Sequence, residues 1–343
     1  MKKIIIDRPG SYDRLRLAEA PSPAPGPGEV RIKVAAIGAN YADCVVRMGL
    51  YASAKKYVGW PITPGFEVAG TIDALGDGAS GLELGAEVIA VSRFGGYASE
   101  LVAPARQVFP LPRGLSMIQG AALPTVYLTA YYALFELARP RPGAKVLVHS
   151  AAGGVGGALC QLATIAGCEV VGVVGASHKV EAARALGASV VIDKSREALW
   201  QAAERAAPGG YDVVFDANGV STLRASYEHV APTGRLVVYG FHSMLPRAGG
   251  RPNWPRLALD FVRTPRFSPL ALTQENRGVL GFNLSYLFER ADLLDQSMRA
   301  ILSWFEDGRL TPPRVQTYPL AAVAEVHRAL ESGQTIGKLV MTP

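Results

Sequence analysis

The chain has 343 residues, enough for two domains, and its 49% hydrophobic and 19% charged residues supply buried cores and exclude a disordered chain. Its 35 basic and 29 acidic side chains leave a formal charge of +6, which suits nucleic acid, an acidic membrane surface or an anionic cofactor and chooses none of them. Three cysteines cannot close a disulfide framework, and no run reaches the roughly 18 uncharged apolar residues of a membrane span, so a soluble cytoplasmic protein is expected.

Residues 1–122 read as short β-type runs at 3–7, 30–37, 65–72, 87–91 and 97–102, cut by turn residues. The 37 glycines and 24 prolines support many sharp turns, and the pattern argues for a small antiparallel barrel or sandwich. The Pro-rich stretch at 21–27 is read as a stiff turn in preference to a polyproline ligand. From about 123 the rhythm changes. Apolar runs at 145–149, 169–174, 189–192, 212–216 and 235–239 alternate with amphipathic helical stretches at 156–166, 178–186, 196–207 and 222–230. Near-continuous apolar strands alternating with helices predict a parallel sheet covered on both faces. A connecting segment rich in Arg and Pro follows at 246–272, then two helices at 291–307 and 321–332 and a last strand at 337–341. That strand is expected to return to the first domain, making the sheet domain an insertion.

The strongest local signal is KVLVHSAAGGVGGALCQLATIAG at 145–167. A hydrophobic strand ends at His149, a turn of small residues follows, and a helix begins near Val155. Small residues let the backbone approach a pyrophosphate, and the unpaired N–H groups of a new helix attract anions. Ala151, Gly153 and Gly156 meet the G-x-G-x-x-G spacing with Ala in the first place. A glycine cluster alone also suits tight strand–helix packing; here the right strand, the right helix and further βα units surround it.

NAD sites usually carry an acid about 20 residues after the loop, to hold the ribose 2′-hydroxyl. No acid lies between Val170 and Val180, where the chain offers Ser177, His178 and Lys179, and Lys194 ends the next strand segment. A hydroxyl and an ammonium bind a 2′-phosphate that a carboxylate would repel, so NADPH is the expected cofactor. Lys179 as a solvated charge opening the next helix is the plainer alternative.

The segment at 38–70 carries the most unusual polar cluster, with Asn40, Asp43, Arg47 and Tyr51 between two strands. GANYADCVVRMGLY at 38–51, PGFEVAG at 64–70, FGGYASELV at 94–102, TAYYAL at 129–134, HSAAGGVG at 149–156, GGYDVVFDANG at 209–219 and GKLVM at 337–341 occur in one order along the whole chain. In that order they resemble the medium-chain dehydrogenase/reductase superfamily, specifically its zinc-independent quinone oxidoreductase (zeta-crystallin-like) branch. ENRGVLGFNLSYLFER at 275–290 looks most like the subgroup of vesicle amine transport protein homologues.

The resemblance implies an α/β protein with a GroES-like β-barrel catalytic domain and a Rossmann doubly wound parallel-sheet domain. The expected boundaries are 1–122 and 266–343 for the catalytic domain and 123–265 for the NADPH-binding domain. Zinc-dependent relatives carry a Cys near Asn40, a His where this chain has Phe66, and a four-Cys lobe. Cys44, Cys160 and Cys168 are too few and too scattered for that lobe, so no metal is expected. Cys160 and Cys168 are read as small buried hydrophobes.

Carried over by position, Asn40 and Tyr41 resemble residues that approach nicotinamide or substrate, and Thr129 a contact on the nicotinamide side. Ala152, Gly153, Gly154 and Val155 resemble the pyrophosphate turn. Ser177 and Lys179 fall at the 2′-phosphate, with Lys194 where relatives often have Tyr. Asn218, Gly240, Phe241, Phe282, Asn283 and Lys338 complete the expected cofactor contacts. Without zinc, alcohol oxidation loses its Lewis acid, whereas a quinone or an enone accepts hydride readily.

Asn40, Tyr51 and Arg47 are the candidate donors to a developing oxyanion. Tyr51 equally suits packing at a rim, and Asp43 with Arg47 suits a structural pair. NADPH-dependent reduction of quinones is the expected function. Reduction of enones, 2-alkenals or enoyl thioesters is the nearest alternative, and an NADPH-binding protein associated with lipid or RNA is the alternative of another class. Arg247, Arg251, Arg256, Arg263 and Arg266 form the only local basic excess, without interleaved aromatic stripes, so no specific nucleic acid is expected and an exposed insert is the preferred reading. The resemblance also implies a homodimer.

Overall fold

The computed structural model describes residues 1–246 and 248–343, so Arg247 of the basic excess lies outside the described residues. The chain forms two compact units, and the first change from one to the other falls between Leu128 and Thr129.

The first unit opens with a hairpin of β1 (Lys2–Ile5) and β2 (Arg16–Glu19). There follow β3 (Glu29–Ala39), the short helices α1 (Tyr41–Arg47) and α2 (Ala52–Tyr57), and strands β4 (Glu67–Leu75), β5 (Glu87–Val91), β6 (Glu100–Pro104) and β7 (Val108–Pro110). Helices α3 (Met117–Gly120) and α4 (Pro124–Tyr131) lead to the second unit. β3 is the spine of the sheet. It pairs antiparallel with β4 along one side, and its register slips at Arg31/Ile32 and Val34/Ala36. Such slips bend and re-aim a strand. Ile4, Val30, Ile32, Ile37, Val68, Ile72, Val88 and Leu101 form the core of this unit.

The second unit contains β8 (Lys145–His149), α5 (Gly154–Ile165), β9 (Glu169–Val174), α6 (Val180–Ala185), β10 (Val190–Asp193), α7 (Leu199–Ala206), β11 (Tyr211–Asp216), α8 (Leu223–Glu228) and β12 (Val230–Val238). α9 (Trp254–Arg263), α10 (Pro269–Glu275) and β13 (Gly278–Gly281) complete it. The order β10-β9-β8-β11-β12-β13, with every pair parallel, is the doubly wound order in which the chain starts centrally and then crosses to the other half. Cys160 is buried on α5, and Cys168 is half-buried in the turn before β9.

The chain then re-enters the first unit with α11 (Leu284–Leu287), α12 (Ala291–Glu306), β14 (Val315–Pro319), α13 (Val323–Ser332) and β15 (Lys338–Thr342). β15 pairs antiparallel with the end of β3 and parallel with β14.

Two expectations need correction. The parallel-sheet unit runs to Asn283, past the expected limit at 265, because β13 pairs with β12 as the sixth strand. The Arg/Pro segment holds two helices, because Pro255 and Pro269 stand in first turns, where their missing N–H costs nothing.

Candidate active site

In the parallel-sheet unit, the turn between β8 and α5 begins at Ser150, whose backbone is left-handed at φ 58°. Gly153 caps α5, and Gly153, Gly154 and Val155 are half-exposed while Ala152 is buried. The turn is drawn tightly under the helix: a Cβ at Gly156 would lie 2.2 Å from Ser150 O. Ala in the first fingerprint position is matched by Gly172 on β9, where a Cβ would come within 2.8 Å of the Ala151 methyl. The first-turn N–H groups of a 12-residue helix therefore stand behind a turn that side chains do not fill.

At the end of β9, Ser177 donates to Asp193 Oδ2 at 2.6 Å, and Arg196 Nε donates to Ser177 Oγ at 3.1 Å. Asp193 also accepts from Ser195 N and Oγ at 2.9 and 2.6 Å, and these hydroxyl bonds hold its carboxyl below the usual range. The acid missing from the end of β9 thus stands one strand over, with both oxygens engaged by neighbours. Sequence reading passed over it beside Lys194. Lys179 is buried, and burial, together with the charge of Lys194, lowers its pKa. Lys194 acts on Lys179, and Arg196 acts on an Asp193 that stays ionised under its hydroxyl bonds. Ser177 differs from expectation, since its single proton already goes to Asp193.

Asn218, Gly240, Phe241, Phe282 and Asn283 follow the C-terminal ends of β11, β12 and β13. Asp216 Oδ1 accepts from the Asn218 and Gly219 N–H groups and shapes that turn. Phe241 is exposed, and Phe282 packs on Tyr132 with centroids 4.9 Å apart. Thr129 lies buried on α4.

In the antiparallel unit, Asn40 precedes α1, Tyr41 is its first residue, and Asp43 accepts from Asn40 N at 2.8 Å. Asn40 Nδ2 donates to Glu67 Oε1 at 2.8 Å, and Lys338 Nζ donates to Asn40 Oδ1 at 2.8 Å and to Glu67 Oε1 at 2.6 Å. Glu67 Oε2 accepts from Thr125 N at 2.7 Å. Lys338 was expected against the cofactor; its ammonium is buried and its three N–H groups go to Ala39 O, Asn40 and Glu67. Tyr51 immediately precedes α2 in an aromatic cluster, 5.8 Å from Phe66 and 6.4 Å from Phe94 between ring centroids.

Arg47 is corrected more strongly. It is excluded from solvent and bonds Gly10 O, Gly250 O, Glu331 Oε1 and His327 Nδ1. It pairs with Glu331 and not with Asp43, whose other donors are Gly65 N and Tyr97 OH. Because arginine only donates, His327 Nδ1 is the acceptor and the ring proton sits on Nε2, facing Tyr97 OH at 3.5 Å. Burial and the Arg47 charge keep His327 neutral. Cys44, His327 and Glu331 are close enough to hold a metal, but the Arg47 guanidinium bonds two of them and supplies the cation.

Two family models match the chain, alcohol dehydrogenase GroES-like domain over residues 26–113 and zinc-binding dehydrogenase over 186–341. The synaptic vesicle membrane protein VAT-1 homolog of Danio rerio is 34% identical over 343 residues, covering 99% of this chain and 70% of that protein. The Escherichia coli quinone oxidoreductase complexed with NADPH superposes with a TM-score of 0.87 at 26% identity, covering 100% of both chains. The chain belongs to the zinc-independent quinone oxidoreductase family of medium-chain dehydrogenases/reductases.

Within this oxidoreductase family, the 2-haloacrylate reductase of Burkholderia sp is 30% identical over 345 residues, covering 99% of this chain and 98% of that protein. A zinc site of the family's metal-dependent branch does not fit here: Asn40 and Phe66 stand in ligand places and Glu67 is bonded to an ammonium. No helix among the described residues is long and apolar enough to cross a membrane.

Proposed function

We propose that the protein is an NADPH-dependent, zinc-independent reductase that delivers hydride to quinones. The observation that carries this reading is the Lys338 ammonium bonded to Ala39 O, Asn40 and Glu67 beside Phe66, a donor set that offers zinc no nitrogen or sulfur ligand. An acceptor reduced there must already be electron-poor, and a quinone is. NADPH, when bound, supplies the hydride. The turn at Gly153, Gly154 and Val155 fits its pyrophosphate, because no side chain fills that turn and the N–H groups of α5 lie behind it. Lys179, Lys194 and Arg196 fit the 2′-phosphate, which relieves the repulsion between the two lysines. The Asn40 amide is the donor to the developing oxyanion, and Tyr51 is a candidate phenol for proton delivery.

Steady-state assays with NADPH and NADH against ortho- and para-quinones, 2-alkenals and crotonyl thioesters test this reading. Turnover of quinones with NADPH above NADH is expected. No NADPH oxidation with any acceptor overturns it, and faster turnover of alkenals or thioesters moves the substrate class to enones, as the 2-haloacrylate reductase relative would suggest. We also propose a homodimer through β13, an edge strand of the parallel sheet with one side unpaired among the described residues; light scattering measures it.

A second reading rests on α9 and α10. Trp254, Leu259, Phe261, Val262 and Leu270 are exposed, with Phe261 at 73% and Val262 at 75%, and Arg256, Arg263 and Arg266 stand exposed among them. An apolar helix face edged by arginines suits an anionic bilayer surface. Salt-sensitive sedimentation with phosphatidylserine vesicles that is lost in Phe261→Ser supports it; equal sedimentation with neutral vesicles overturns it.

A further inference from the structure

Three strand ends meet beside Asn40. β4 and β15 run antiparallel to β3 on its two sides, so the C-terminal end of β3 lies next to the first residues of both neighbours. Those residues are Glu67 on β4 and Lys338 on β15, and Asn40 follows the last residue of β3. Residues 271 positions apart in sequence thus form a 2.6 Å ion pair with both side chains buried.

The chemistry of this pair leaves the carboxamide one orientation. A lysine ammonium only donates and a carboxylate only accepts. Asn40 Oδ1 must therefore face Lys338 and Nδ2 must face Glu67, as the 2.8 Å distances on each side have it. The reversed amide would set N–H against ammonium and oxygen against carboxylate, losing both of its bonds to the pair in a buried place. The Asn40 backbone is fixed separately by the bond from its N–H to Asp43. Of the two Nδ2–H donors, Glu67 takes one. The other belongs to the residue of the trio that keeps most contact with solvent, 8% against 0% for Glu67 and 3% for Lys338.

We infer that Lys338 and Glu67 are positioning residues that clamp the Asn40 carboxamide and aim its second Nδ2–H at the oxygen of the acceptor. The inference rests on the reductase reading above. It gives Lys338 a role distinct from the cofactor contact that family resemblance implies. A group held by two oppositely charged neighbours needs no reorganisation as charge develops, which is what makes a donor effective in catalysis.

A double-mutant cycle tests the role. Asn40→Ala is expected to lower kcat about 100-fold, and Lys338→Met about 10- to 100-fold, with KM for the quinone and Kd for NADPH within about threefold. In the Asn40→Ala background, Lys338→Met is expected to change kcat by less than about threefold, because the group it positions is gone. Multiplicative losses overturn the inference. So does a tenfold or greater weakening of NADPH binding with kcat preserved, the signature of a cofactor ligand. If Lys338→Met does not fold, Glu67→Gln replaces it, since glutamine keeps an oxygen for Thr125 N.

The clamp is also read without turnover, from the side-chain amide resonance of Asn40, identified by its loss in Asn40→Ala. In Lys338→Met its two proton shifts are expected to converge and its exchange with water to quicken; an unchanged pair overturns the clamp. Failure of the reductase reading looks different: the parent protein oxidises no NADPH with any acceptor while the amide still responds to Lys338→Met; an unchanged kcat in Asn40→Ala, by contrast, overturns the inference itself.

Discussion

Arg47 donates to Glu331 Oε1 at 2.7 Å, and neither side chain is reached by solvent. The pair closes a chain in which Tyr12 OH donates to Glu331, Arg47 to His327 and Tyr97 to Asp43. Removing one partner leaves the other charge buried and uncompensated. Arg47→Met is expected to destabilise the protein by about 3–5 kcal/mol, read from urea unfolding at fixed pH. The folded fraction should reduce quinones with kcat within about threefold of the parent, because the guanidinium is engaged within the core; a 100-fold loss in folded protein would return Arg47 to the catalytic donors.

The cationic corner at the ends of β9 and β10 gives a cofactor prediction. A hydrogen bond to a charged group is worth about 1.5–3 kcal/mol, and about 1.4 kcal/mol is tenfold in affinity. Lys179→Ala should therefore raise KM for NADPH about 10- to 100-fold while NADH changes less than about threefold. Lys194 is exposed and more heavily hydrated, so Lys194→Ala should do less. Equal losses with the two cofactors would place these lysines away from the 2′-phosphate.

The parallel sheet was legible because β8, β9, β11 and β12 are near-continuous apolar runs and α5 follows a small-residue turn, all local signals. The helices around Asn40 were not. α1 and α2 span seven and six residues and are held by partners distant in sequence, such as Gly65 N and Tyr97 OH on Asp43. α9 and α10 were hidden by prolines that read as breakers and act as first-turn residues. At the site, Asn40 stood out by residue type, whereas the Lys338–Glu67 pair depends on strand pairing that no local pattern reveals. Asp193 carried a usable signal, an acid at a strand end before Lys194, but on the third strand of the sheet and not the second.

Asp43 sets a pH dependence. Burial raises its carboxyl from 3.8 to about 7, against the opposing bonds from Asn40 N, Tyr97 OH and Gly65 N. Between these values the folded protein keeps a proton that the unfolded chain has released. Stability from this group is therefore greatest below about pH 4, falls as pH rises to about 7, and is flat beyond. Asp43→Asn should flatten that part of the unfolding free energy–pH curve, measured by urea titration at matched ionic strength. An unchanged slope would mean that Asp43 is ionised throughout and its three donors outweigh burial.

Gly38 on β3 leaves no room for a side chain beside the clamp. A Cβ there would lie 2.5 Å from Glu67 Oε1 and 2.2 Å from Ala121 O. The carboxylate can turn aside, but the carbonyl belongs to a backbone that must move with it. Gly38→Ala should thus cost stability, about 1–3 kcal/mol as an overpacked core position. It should also displace Glu67 from Asn40 and lower kcat more than it raises KM for the quinone. Gly70, on β4, offers the control: a Cβ there would meet Lys33 O at 2.2 Å, a clash of the same size on a residue outside the clamp. Gly70→Ala should lower the unfolding free energy comparably and leave kcat per folded molecule within about threefold. Equal kcat losses in the two variants would assign the Gly38 effect to general strain in the sheet and not to the carboxylate beside Asn40.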